Sequence, residues 1–481
     1  MSSKERKKKK INIEAVIFPL FQNNNDLSGL PEEVSATVEM LFKEKIFTAE
    51  LNKTYPIALP GRKNLLLLLT GLGEREKINN ERLRQAGGSA GSFCKEKQIP
   101  FIKVELSNLK GILPSPVSFL EGLFLSTYSF SRYLSDKEPY SPTVTVSGIK
   151  AGLKKQIPEI KAITDSVHLA RDLVNTPSNE LTPEKLASRA RQLGTKNIKV
   201  KVLTERQIEK EGMGAYLAVS RGSKNPPRFI VIEYRGGKKG PVVFIGKSIT
   251  FDSGGISIKP SSGMEKMKYD MAGGAAVLSA VSAAAKLSLP VHIIGILPAA
   301  ENMPGGNATR PGDIVSTLSG KTIEIANTDA EGRLALADAI EYAKRYDPDF
   351  IVDIATLTGA CSVALGNEAA AAMSNSEELI KRAVRASEQT GEKLWPMPLY
   401  EEYRDYLKSD VADIRNVSTD RSGSLVTAAC FLKDFVEDVP WLHIDIASVA
   451  WTDRDRPYIP KGATGFGVRL LIQLLKESYK L

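Results

Sequence analysis

Cysteine, histidine and tryptophan are scarce, with three of each among 481 residues. Cys94, Cys361 and Cys430 are too few and too scattered for a disulfide framework or a thiolate zinc site. A reducing, cytoplasmic setting is expected. His168, His292 and His443 stand apart from every cluster of acids, so each reads as an ordinary packed or hydrogen-bonded residue. No apolar run approaches the ~20 residues of a membrane helix. The longest, NLLLLLTGLG (64–73), reads as a buried strand. The chain lacks a Gly-x-Ser-x-Gly elbow, and GISIKPSSG (255–263) lacks the spacing of a phosphate loop.

A strong positive charge on the folded body is also missing. The formal net charge is +9, yet residues 1–10, MSSKERKKKK, hold six basic residues against one acid. Without an apolar segment behind it, this stretch reads as a solvated, disordered tail rather than a secretory signal. The remaining excess is small, which argues against nucleic acid as a partner.

The length predicts two domains. Residues 11–155 alternate apolar runs with polar helical stretches, as expected of an α/β domain. AVIFPLF (15–21), NLLLLLTG (64–71), PFIKVEL (100–106) and TVTVSGI (143–149) read as strands, and 116–134 has helical periodicity. Residues 156–181 read as a linking helix and loop. Thr182 and Pro183 then form an N-cap and first-turn pair. From 182 to 481 the runs IKVKVL, RFIVIEY, PVVFIGK, VHIIGIL, FIVDIATL and WLHIDIA alternate with helical segments such as 273–287 and 333–346. That pattern predicts a larger α/β domain with a mostly parallel central sheet covered by helices.

Charge collects where such sheets bind ligands, beyond the carboxyl ends of strands. Lys247 ends an apolar strand, Asp252 follows in a Gly/Ser-rich loop, and Lys259 comes after it. Asp270 immediately precedes a helix. Asp329, Glu331 and Arg333, in NTDAEGRL (327–334), alternate in what reads as an extended entry to another helix. Four carboxylates drawn together repel one another without cations. Two divalent ions about 3.5–4 Å apart, with an attacking water between them, would balance the charge of a hydrolase site. Lys247 would join the ligands only if neutral. Lys259 is expected to have no carboxylate left to pair it.

With NTDAEGRL stand ITFDSGGISIKP (249–260), MKYDMAGGAAV (267–277), ENMPGGNATRPGDIV (301–315), DIATLTGAC (353–361) and ARDLVNTPSNELTP (170–183). In these segments and their order the sequence resembles the leucyl aminopeptidases, or cytosol aminopeptidases. The resemblance is strong from about 165 to 475 and faint before, chiefly FLEGLFLSTYSFSRY (119–133). It implies a small N-terminal α/β domain, a larger catalytic one, and a homohexamer with active sites facing an internal cavity.

It also implies one metal site from Lys247, Asp252, Asp270 and Glu331, and another from Asp252, Asp329 and Glu331. Manganese or zinc would suit such ligands. Lys259 and Arg333 match the family's catalytic positions, with Arg333 holding bicarbonate as general base. Lys259 would then stabilise the oxyanion. The implied substrates are peptides with a free N-terminus, leucine-like and apolar residues preferred. Met267, Thr356, Leu357, Gly359 and Ala447 fall at substrate-binding positions, and Ser448 and Ala450 would join Met267 and Ala447 around an apolar, roomy pocket. Ser248 departs from the glycine usual after the first metal lysine. An added DNA-binding role on the same scaffold is the alternative.

Overall fold

The computed structural model describes residues 13–481 except 23–26, 28, 31, 60, 62–63, 113–114, 136–137 and 421. The basic tail, 1–10, lies outside them. The chain divides into two units, Met1–Thr164 with Arg454–Pro460, and Asp165–Asp453 with Lys461–Leu481.

The first unit carries strands β1 (Glu14–Leu20), β2 (Thr54–Ala58), β3 (Leu65–Gly71), β4 (Phe101–Glu105) and β5 (Thr143–Ser147) in the order β2-β3-β1-β4-β5. Only β2 runs antiparallel to its neighbour. The helix expected over 116–134 is shorter, Val117–Ser126. Ser126 Oγ bonds back to Leu123 O and Thr127 Oγ1 to Phe124 O, at 2.8 and 2.7 Å. Hydroxyls that take up the last helical carbonyls let the helix end there, whatever apolar periodicity follows.

In the second unit the strands include β6 (Ile198–Leu203), β7 (Arg228–Arg235), β8 (Lys239–Gly246), β9 (Ser248–Asp252), β10 (Val291–Asn302), β11 (Ile314–Ser316), β12 (Thr322–Glu324), β13 (Phe350–Ala355), β14 (Ala370–Ser374), β15 (Leu394–Pro396), β16 (Ile414–Arg415) and β17 (Trp441–Asp445). The main sheet runs β15-β14-β17-β13-β8-β10-β7-β6, with β9 also on β10; β11, β12 and β16 form a small separate sheet. The centre, β17-β13-β8-β10, is parallel. The pairs β14–β17, β10–β7 and β7–β6 are antiparallel, so the mostly parallel sheet has antiparallel flanks.

The central strands are apolar over long runs because both faces are covered. Helices Gly332–Ala343 and Ser424–Val436 pack with Val243, Ile245, Ile294, Ile296 and Ile351 on one face. Helix Ala272–Lys286 covers the other, where a Cβ on Gly295 would lie 3.2 Å from Val277 and Val281. Among the described residues no helix is long and apolar enough to cross a membrane.

Candidate metal centre

Four parallel strands deliver their carboxyl ends to one place. Lys247 follows β8, Asp252 closes β9, Thr356 follows β13 and Asp445 closes β17. Asp270 arrives just before helix Ala272–Lys286, and Asp329 and Glu331 just before helix Gly332–Ala343.

Lys247 Nζ stands 2.8 Å from both Asp270 Oδ1 and Glu331 Oε1, and 2.9 Å from Thr356 O. Lys259 Nζ stands 2.8 Å from Asp252 Oδ2 and also pairs with Asp329 Oδ1. The expectation of an unpaired Lys259 is thus corrected, because its flexible stem reaches back over its own loop to two carboxylates. Ligand oxygens of Asp252, Asp329 and Glu331 lie within 4.8 Å of one another.

The reading of 329–333 as extended also needs correction. Glu331 has helical dihedrals (φ −76°, ψ −35°), and Arg333 already belongs to the helix. The acids converge through a turn and a helix entry rather than through alternation along a strand. Arg333 is buried and gives Nη1–H to Asn416 O at 2.6 Å; its Nε has no hydrogen-bond partner.

Four acids share this space with two lysines, so negative charge is in excess. Burial, then the neighbouring charge of Glu331, pushes the Asp252 carboxyl up to about 6 despite both lysines. Burial disfavours the Lys247 ammonium, but Asp270, Glu331 and Asp252 outweigh it and hold its pKa above the ordinary lysine range. Burial brings Arg333 down to about 10, against the pull of Glu331 and Asp445. A divalent cation fits here. The donors are mainly hard oxygens, and Asp270 Oδ2 and Glu331 Oε2 are buried with no hydrogen-bond partner.

The sequence singles out no role for several supporting residues. Asn302 Nδ2 donates to Asp252 Oδ1 at 2.8 Å and to Thr328 O at 3.0 Å. Asp445, wholly buried, accepts from Leu357 N, Thr358 N and Ala447 N at 3.1 Å each, and from Thr358 Oγ1 at 2.7 Å. Single polar residues in long chains look ordinary until the fold supplies their partners.

The residues expected around the substrate fall near these elements. Thr356 Oγ1 donates to Asp270 Oδ1 at 2.7 Å. Leu357 and Ala447 share the Asp445 carboxylate. Gly359 starts a short helix capped by Thr358, and Met267 lies in the 3₁₀ segment leading to Asp270. Ser448 and Ala450 are both buried, and Ser448 Oγ donates to Ala369 O at 2.7 Å. His292 pairs with Glu233 and His443 with Asp353.

Two family models match the chain. The "Cytosol aminopeptidase family, catalytic domain" covers residues 168–472 and the "Cytosol aminopeptidase family, N-terminal domain" covers 17–137. A "Probable cytosol aminopeptidase" of Geobacter sulfurreducens is 44% identical over 465 residues, 94% of each chain. Another, from Cenarchaeum symbiosum, is 44% identical over 424 residues, 87% of each. The structure resembles the bottromycin maturation enzyme BotP, with TM-score 0.87 and 33% identity over 98% of this chain and 100% of that one. BotP in complex with Mn gives 0.86 and 34%, over 97% and 99%. With its acidic centre and both domains matched, the chain belongs to the cytosol aminopeptidase family, as a metal-dependent aminopeptidase.

Proposed function

We propose that this aminopeptidase holds two divalent ions and releases N-terminal residues, apolar ones preferred, from peptides. One ion would sit among Lys247, Asp252, Asp270 and Glu331, the other among Asp252, Asp329 and Glu331. The observation that carries the reading is the convergence of Asp252, Asp329 and Glu331 within 4.8 Å, beside Lys259 and Arg333. Bound divalent cations supply Lewis acidity and activate water near neutral pH. Manganese is the first candidate, since BotP is described in complex with Mn; zinc is the second.

Lys259, held protonated by Asp252, Glu331 and Asp329 against its burial, is placed to donate to the oxyanion of the tetrahedral intermediate. Arg333 keeps its charge at neutral pH and grips an anion, for which bicarbonate, acting as general base, is the candidate. Met267, Thr356, Leu357, Gly359 and Ala447 would frame the first side chain. A free, neutral substrate α-amine would offer one of the ions a nitrogen ligand, which a blocked N-terminus cannot, and this favours exopeptidase action. The assembly would be a homohexamer, which light scattering tests, and a cytoplasmic place accords with the relatives' name. The DNA-binding alternative gains no support from the family match.

Turnover of leucinamide and N-acetyl-leucinamide, measured after chelation and after manganese or zinc add-back, tests the reading. Activity should vanish on chelation, return with metal, and appear only on the free amine. Equal rates on both substrates would overturn the exopeptidase assignment.

A further inference from the structure

Asn416 follows the short strand β16 and is wholly buried. Its main-chain N–H donates to Glu324 O at 3.0 Å, which sets it beside the end of β12. Its side chain then holds the next stretch of chain. Oδ1 accepts from Ala326 N at 2.9 Å and Asn327 N at 3.3 Å, while Nδ2 donates to Asn327 O at 2.7 Å and Ala330 O at 3.4 Å. These are the residues that flank Asp329 and lead to Glu331. The carbonyl of the same Asn416 accepts Arg333 Nη1–H at 2.6 Å.

A buried guanidinium needs fixed partners, since its five N–H donors lose water on burial. Here the fixed partner is neutral, and no carboxylate among the described residues forms an ion pair with Arg333. The charge is therefore held in place without being cancelled. The same residue sets the position of the acidic turn. The side-chain amide both accepts from and donates to this main-chain turn, whereas a carboxylate cannot donate and an alanine side chain can do neither.

We infer that Asn416 is the positioning residue that sets Arg333 against the metal-bearing turn. The inference rests on the proposed role of Arg333 as an anion holder. It adds a residue 83 positions away in sequence that acts through that arginine.

A double-mutant cycle tests it: wild type, Asn416→Ala, Arg333→Ala and the double variant. Turnover of leucinamide at saturating manganese, KM, metal content and thermal midpoint are measured for each. Asn416→Ala should lower kcat by about 10–100-fold, as expected of a misplacement near 1 Å, with metal retained and KM nearly unchanged. In the Arg333→Ala background the same change should cost less than about 3-fold, because residues acting as one unit are not additive. An equal fold-loss in both backgrounds, or metal loss in step with rate, would make Asn416 a general brace and overturn the inference. An Arg333→Ala variant with full activity would strike the role of Arg333 as well, whereas an additive cycle with a slow Arg333→Ala strikes Asn416 alone. If Asn416→Ala does not fold, Asn416→Asp, close in size but without the amide donors, takes its place in the cycle. Failure of both to fold also assigns Asn416 to the scaffold and ends the inference.

Discussion

Ser248 Oγ occupies the space that a side chain at Gly274 would need: a Cβ on Gly274 would stand 2.0 Å from it. Ser248 is fully buried, outside the left-handed region, and bonded through Oγ to Gly246 O at 2.8 Å. The backbone at 248 therefore tolerates a side chain, and the departure from glycine beside Lys247 is absorbed by a glycine across the contact. Gly274 N also donates to Lys247 O at 2.7 Å, so any displacement reaches the site. Gly274→Ala is expected to destabilise the protein by about 1–3 kcal/mol or more. Ser248→Gly in the same chain should recover most of that loss, since the next contact of the new methyl is Lys247 O at 3.3 Å. Chemical denaturation of the two singles and the double checks this, and purely additive effects would sink the pairing.

Lys259→Ala should retain metal and lose turnover. Removing one oxyanion donor costs about 10²–10³ in kcat. Its contacts to Asp252 and Asp329 give the competing outcome, in which Lys259 organises the carboxylates. Metal content by elemental analysis, taken beside the steady-state rate, separates the two: parallel loss makes Lys259 structural.

Arg333→Ala should bind metal and leucinamide yet turn over slowly. In bicarbonate-free buffer the wild type should slow and recover on titration with bicarbonate, while Arg333→Ala responds little. Arg333→Lys should recover only part of the rate, because an ammonium cannot grip a planar anion through two parallel bonds. An identical fractional response in wild type and Arg333→Ala would remove Arg333 from the role of anion holder.

Asp338 gives a pH dependence of stability through a group that is neither a proposed metal ligand nor a proposed catalytic residue. It is fully buried on helix Gly332–Ala343, accepting from Tyr216 N and Leu318 N at 2.8 Å each. Burial pushes its pKa up to about 7, over the opposing effect of those N–H donors. An unfolded aspartate titrates near 3.9. Below about pH 4 both states hold the proton and the contribution to stability is complete. Between about pH 4 and 7 the unfolded chain ionises while the folded chain does not, so stability falls as pH rises. Asp338→Asn removes that slope. Its thermal midpoint relative to wild type should therefore climb from pH 4 to pH 7.5, and a constant difference across that range would refute the assignment.

Much of the architecture was legible because burial writes long apolar runs. The strands expected from PVVFIGK, VHIIGIL, FIVDIATL and WLHIDIA are β8, β10, β13 and β17. Strand direction is not written in such runs. The antiparallel pairing of β14 with β17 and of β7 with β10 depends on connections and neighbours. Likewise the helix of 116–134 kept its apolar period past Ser126, and local hydroxyl bonds ended it.

The sequence alone determined the chemistry on offer: four acids, two lysines and an arginine, in short stretches next to apolar strands and helix starts, with cysteine and histidine too sparse to compete. Tertiary structure decided how those charges are shared. It placed Lys247 between Asp270 and Glu331, turned Lys259 onto Asp252 and Asp329, and left Arg333 against a neutral carbonyl. It also recruited Asn302, Asn416 and Asp445, each a single ordinary residue in its own stretch. The physical reason is range. Apolar periodicity and clustered charge are local properties of a chain, whereas a buried polar group finds its partner only after folding brings together residues far apart in sequence.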